Sequence, residues 1–160
     1  LSYEKGIQKN LIMLKNLRDQ AGSLFLVGNG GSAAVVSHIL TDFINVAKIN
    51  ARTLHEPSLL SCMSNDYGYE NSFSKPIATL ARDKDLLIAV SSSGQSENIV
   101  RGLKAAREKG CRVITLSGFN PDNSSRGLGD LNFYVPSTVY AYVETAHTAL
   151  AHFMTTKAAG

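Results

Sequence analysis

His38 and Asp42 stand four residues apart in a stretch of helix-competent sequence, which puts them on one helix face a turn from each other. An imidazole and a carboxylate at that spacing can share a metal ion, or act as acid and base on one substrate. A surface ion pair or a capped core histidine would use the same two residues. Near the other end of the chain Glu144, His147 and His152 share a second helical stretch. Glu144 and His147 have a spacing also used in metal sites. Glu144 and His152 lie about 12 Å apart along a helix axis, so one ion would need both side chains stretched together or ligands from two subunits. A polar stripe facing a pocket or a subunit boundary is the other reading. Imidazoles and carboxylates together suit zinc or another divalent cation.

Two further stretches point to an anion. Gly28-Asn29-Gly30-Gly31-Ser32 follows the apolar run Leu24-Phe25-Leu26-Val27 and leads into a helix expected over 33–47. A buried strand breaking into glycines at a helix N-terminus presents free backbone N–H groups and the positive end of the helix dipole. Ser91-Ser92-Ser93-Gly94-Gln95-Ser96 repeats the design after a second apolar run, Asp85 to Val90, with Ile99, Val100, Leu103 and Ala106 on the apolar face of the next helix. Serine hydroxyls and helix ends can hold a monophosphate without lysine. A triphosphate site would carry Gly-x-x-x-x-Gly-Lys-Ser/Thr, which is absent, so no nucleotide cofactor is expected.

The elements that position these residues follow from the apolar pattern. An amphipathic helix is expected over 3–20, from Ile7, Leu11, Leu14 and Leu17, packing on the sheet or on a neighbouring subunit. Short strands are expected at Ala51–Leu54, Cys111–Leu116 and Asn132–Val135, and a final helix over 137–157. Pro57-Ser58 opens a brief helix through Met63, Ser64 to Tyr69 reads as a polar loop, and Phe73 to Leu80 as another helix. Five strands with intervening helices predict a three-layer α/β/α fold with a parallel sheet covered on both faces. Both glycine/serine loops then fall at the carboxyl ends of strands one and three, beside the topological switch point.

Composition sets outer bounds. The chain has 160 residues, enough for one domain with a real core, and 44% hydrophobic against 18% charged residues is ordinary for a globular protein. A net charge of +3 with no long basic run argues against nucleic acid. No apolar stretch approaches a bilayer span, and the N-terminus lacks a signal-peptide layout, so a cytoplasmic protein away from membranes is expected. Cys62 and Cys111 are expected as buried free thiols. A chain opening on Leu1 rather than Met is expected to lack residues at its front.

Gly28–Ala34, Ser61–Tyr69 and Ser91–Ser96, in that order, resemble the SIS sugar-isomerase family, and within it the phosphoheptose isomerase branch. The resemblance spans nearly the whole chain. It implies a single flavodoxin-like SIS domain over residues 1–160, a homotetramer with sites at subunit boundaries, and a role in heptose biosynthesis for lipopolysaccharide or capsule. It implies a phosphorylated sugar gripped by Ser32, Ser91, Ser93 and Ser96, with Asn29, Gly30 and Ser92 alongside and Asp66 on sugar hydroxyls. It also maps a zinc set of His38, Asp42, Glu144 and His152, where the branch has Glu in place of Asp42 and Gln in place of Glu144. Asp42 would be the base and His152 the acid of an enediol mechanism; beside a bound ion, Asp42 or Glu144 is expected as the proton carrier. A carboxylate retracted by one methylene can cost about a hundredfold in rate.

Three functions fit these residues: an aldose–ketose isomerase, a non-catalytic SIS module of the replication-initiator-associating type, and a dinucleotide-binding domain. The last rests on a loose Gly28-x-Gly30-x-x-Ala33 with Glu56 as ribose acid. It leaves the serine loop without a role, and the acid, base and metal set favours the enzyme.

Overall fold

The computed structural model describes residues 2–159. Their strands are β1 (Leu24–Gly28), β2 (Ala51–Thr53), β3 (Leu86–Ser91), β4 (Arg112–Ser117) and β5 (Leu131–Tyr134). They form one parallel sheet in the order β2-β1-β3-β4-β5, the flavodoxin-like order. β1 and β3 are wholly buried, which is why they read as unbroken apolar runs rather than alternating ones. Successive side chains still face opposite sides. Leu24 and Leu26 enter one core, and Phe25 and Val27 the other.

The first core is covered by α1 (Tyr3–Asp19), α2 (Gly30–Asn45) and α7 (Tyr140–Ala158), through Leu14, Val36, Phe43 and Met154 among others. The second lies under α3 (Pro57–Tyr67), α4 (Ser74–Leu80), α5 (Glu97–Glu108) and α6 (Ser124–Leu128). α1 packs on α7 and β5, and the Arg18 guanidinium donates to the Ala158 carbonyl at the far end of α7. Phe43 is wholly buried, so its truncation to Ala would cost about 3–5 kcal/mol. Among the described residues no helix is long and apolar enough to cross a membrane.

Three expectations change and one helix is added. α2 begins at Gly30, three residues early, because packing on β1 and α7 overrides the weak helix propensity of Gly-Gly-Ser. Ser64 to Tyr67 is no loop but the last turn of α3; Glu56 caps that helix by accepting from the Leu59 N–H, and Gly68 ends it at φ 83°. α6 forms after the Asn120–Asn123 loop, where Asn123 accepts from the Arg126 N–H as its cap. Cys62 is exposed on α3 while Cys111 is buried as expected; α3 contributes no fully buried residue, so its thiol has no core to enter.

Candidate active site

β1 and β3 run side by side in register, Gly28 next to Val90, so their loops emerge at the same level. At Gly28 a Cβ would sit 2.7 Å from the Ser32 backbone, too close for any other residue. Gly30 turns the chain into α2 at φ 53°. The second loop folds on itself: the Gly94 N–H donates to the Ser91 carbonyl and hydroxyl, and the Gln95 N–H to the Ser93 hydroxyl. Ser96 stands at the N-cap of α5 without capping it, which leaves its hydroxyl for a ligand. The Ser92 hydroxyl is buried with no partner among the described residues.

Between the loops lies a cavity of about 220 Å³ lined by Asn29, Gly30, Gly31, Ser32, the four serines of the second loop, Tyr140 and Glu144. Seven expected ligand contacts meet there: Asn29, Gly30, Ser32, Ser91, Ser92, Ser93 and Ser96. Asp66 does not. It is exposed on α3 and accepts from the Cys62 thiol and the Asn65 amide. No lysine, arginine or histidine lines the cavity, so its attraction for an anion comes from hydroxyls, N–H groups and helix ends.

α2 and α7 pack together and run the same way, Gly31 beside Glu144 and Asp42 beside His152. His152 Nδ1 lies 3.0 Å from Asp42 Oδ2, a hydrogen-bonded acid–base pair within one chain, both partners part-exposed. The His38 ring stands edge-to-face with His152 at 5.1 Å between centroids. Glu144 is elsewhere, its carboxylate over the Gly31 Cα, where a Cβ would lie 2.4 Å from Oε1. The fourfold set of His38, Asp42, Glu144 and His152 therefore does not close on a metal. Among the described residues no three His, Cys, Asp or Glu side chains converge on one point.

Asn98, Tyr69 and His55 carried no signal that sequence pattern could isolate, whereas His147 stood out by its spacing from Glu144. Asn98, in the first turn of α5, exchanges two hydrogen bonds with the Asn29 amide, at 2.8 and 2.9 Å, and is almost wholly buried. The Tyr69 hydroxyl donates to Asn29 Oδ1 from the far side. His55 Nε2 lies 2.9 Å from the Gly28 carbonyl at the end of β1, and His147 Nε2 is 3.2 Å from the Ser117 carbonyl at the end of β4. Burial lowers both imidazole pKa values from the ordinary 6.5, only partly opposed by those carbonyl bonds. His147 thus braces the sheet rather than joining His152. Tyr140 was within reach of sequence reasoning, because it stands four residues before Glu144 on one helix face.

Residues 3–118 match the family model described as SIS domain. The phosphoheptose isomerase of Pectobacterium atrosepticum is 33% identical over 94% of this chain and 80% of its own length. That of Solidesulfovibrio magneticus is 33% identical over 84% of this chain and 68% of its own. The solved phosphoheptose isomerase of Neisseria gonorrhoeae superposes with a TM-score of 0.88 at 31% identity, over 99% of this chain and 86% of that one.

Proposed function

The chain belongs to the SIS domain family, and we propose that within it this protein is a phosphoheptose isomerase, interconverting sedoheptulose 7-phosphate and a heptose 7-phosphate. One observation carries the reading in the structure: two anion loops share one cavity at the head of α2 and α7, and an acid–base pair bridges the same two helices further along.

The phosphate is held by Ser32, Ser91, Ser93 and Ser96, with Ser92 offering its unused hydroxyl. Ten residues separate Ser32 from Asp42, about 15 Å of helix rise, with both side chains leaning towards the N-terminus. A long sugar chain anchored by its phosphate at the serine loops extends along α2 towards the Asp42–His152 pair. The Asp42 carboxylate removes the proton from the carbon next to the carbonyl, while the His152 imidazole protonates the carbonyl oxygen, giving an enediol. Return of a proton to the former carbonyl carbon, with loss of one from the hydroxyl of the carbon first deprotonated, completes the exchange of ketose and aldose. No electron leaves or enters.

Zinc or another divalent cation stays a proposal that rests on donor chemistry alone, the His38 and His152 imidazoles and the Asp42 carboxylate on adjacent helices with Glu144 apart from them, and no step above runs through it. A homo-oligomer, a tetramer by resemblance, is supported by the exposed Ile44 of α2 and Tyr142 and Phe153 of α7. A phosphorylated substrate and unpaired cysteines suit a cytoplasmic setting, with the product feeding heptose assembly for lipopolysaccharide or capsule.

Incubating the purified protein with sedoheptulose 7-phosphate in deuterium oxide tests the reading. Aldose formation with deuterium at the carbon next to the carbonyl is the expected result. Tight binding of the sugar phosphate with neither product nor exchange would assign the chain to the non-catalytic module instead.

A further inference from the structure

Tyr140 is the first residue of α7 and lines the anion cavity one turn before Glu144. Its hydroxyl has no hydrogen-bond partner among the described residues, and the side chain is 61% exposed, at the cavity mouth rather than its floor. Behind it stands Phe119, edge-to-face at 4.8 Å between centroids and 79° between planes.

Phe119 has φ 58°, a conformation that bulky side chains rarely adopt. Its surroundings hold it there. The Phe119 N–H donates to the Ser137 carbonyl, and the Phe119 carbonyl accepts from the Tyr134 hydroxyl. The preceding Gly118 N–H donates to the carbonyl of Ser92, a cavity residue, and a Cβ on Gly118 would meet Val143 of α7 at 2.8 Å. The strained turn is thus wedged between the second serine loop and the start of α7. A glycine or asparagine would fit this backbone more easily. Strain retained directly behind the cavity-lining Tyr140 points to a use for the side chain.

We propose that Tyr140 contacts the sugar chain of the bound phosphate, supplying the affinity that distinguishes a sugar phosphate from bare phosphate, and that Phe119 is the residue that positions it. The inference rests on the sugar-phosphate reading of the cavity. The floor is already furnished with serines and helix ends for the phosphate, so a phenol at the mouth meets what leaves it. Its ring can cover the carbon chain while its hydroxyl exchanges hydrogen bonds with sugar hydroxyls. Without the Phe119 ring the phenol would sample other rotamers over the open mouth.

Calorimetric titration with sedoheptulose 7-phosphate and, separately, inorganic phosphate tests this without requiring turnover. Tyr140→Ala is expected to weaken the sugar phosphate about tenfold and inorganic phosphate hardly at all. Phe119→Gly relieves the backbone, so it should melt no lower than the parent and yet lose the same sugar-phosphate affinity. Phe119→Tyr should retain that affinity, and Tyr140→Ala with Phe119→Gly should be no weaker than Tyr140→Ala alone. Unchanged sugar-phosphate affinity in Tyr140→Ala, or an equal loss for both ligands, overturns the contact. Undiminished affinity in Phe119→Gly overturns the positioning role. A parent that binds the sugar phosphate without turning it over sinks the isomerase reading and leaves this comparison intact; a parent that binds neither ligand overturns both.

Discussion

Asn98 holds Asn29 by both ends of its side-chain amide, so the two anion loops form one unit across β1 and β3. The Ile99 N–H donates to Asn98 Oδ1, which fixes which way the Asn98 amide faces. Asn29 is therefore engaged in holding the site together, and its side chain has little capacity left for substrate. Replacing Asn98 with Leu strands the Asn29 amide in a part-buried place at a cost of about 1–3 kcal/mol. The expected result is a lower melting temperature together with about tenfold weaker inhibition by inorganic phosphate. A variant that melts lower but binds phosphate as the parent does would show that the loops keep their spacing without the clamp.

Glu144 places a carboxylate in a cavity built for an anion. Glu144→Gln removes like-charge repulsion while keeping the side chain's size over Gly31. Phosphate and sugar phosphates are expected to bind about five- to tenfold tighter, read by titration at low salt. Weaker binding would mean that the carboxylate takes part in holding the ligand.

Asp42→Asn keeps the shape of the pair with His152 and deletes the base. Deuterium exchange at the carbon next to the carbonyl should fall by about 10²- to 10⁴-fold, with sugar-phosphate affinity little changed. Exchange at the parent rate would move the base elsewhere, Glu144 being the next carboxylate.

The buried imidazoles of His55 and His147 give stability a pH dependence. Burial lowers their folded pKa values below 6.5, so as pH falls through 6.5 the unfolded chain takes up protons that the folded one refuses. Stability is complete above the unfolded value and declines below it until the folded values are reached. Melting temperature is expected to drop between neutral pH and below 6, and His147→Leu should flatten that slope. An unchanged slope in the variant would exclude His147 as a contributor.

The fold was legible where the physics is local. Leu24–Val27 and Leu86–Val90 are continuous apolar runs ending in glycine or serine, and such runs have few other uses than buried parallel strands. Ser64–Tyr67 misled because polar composition looks like a loop, although Glu56 and Pro57 start a helix that carries through it. The substrate loops could be read from residue type and placement. Asn98 and His55 could not, since a lone polar residue has no period and its partner lies in another element, 69 positions away for the first. The Asp42–His152 pair, 110 positions apart, was visible only through family resemblance, because nothing local specifies that α2 and α7 pack side by side.

α2, α5 and α7 all begin at the same cavity, at Gly30, just after Ser96 and at Tyr140. The positive potential there is a property of where three helices start and not of any basic side chain. No lysine-directed reagent can neutralise it, and no single substitution can delete it. A chain could exchange most of its residues and still attract the same anion, provided the three helices kept their starting points.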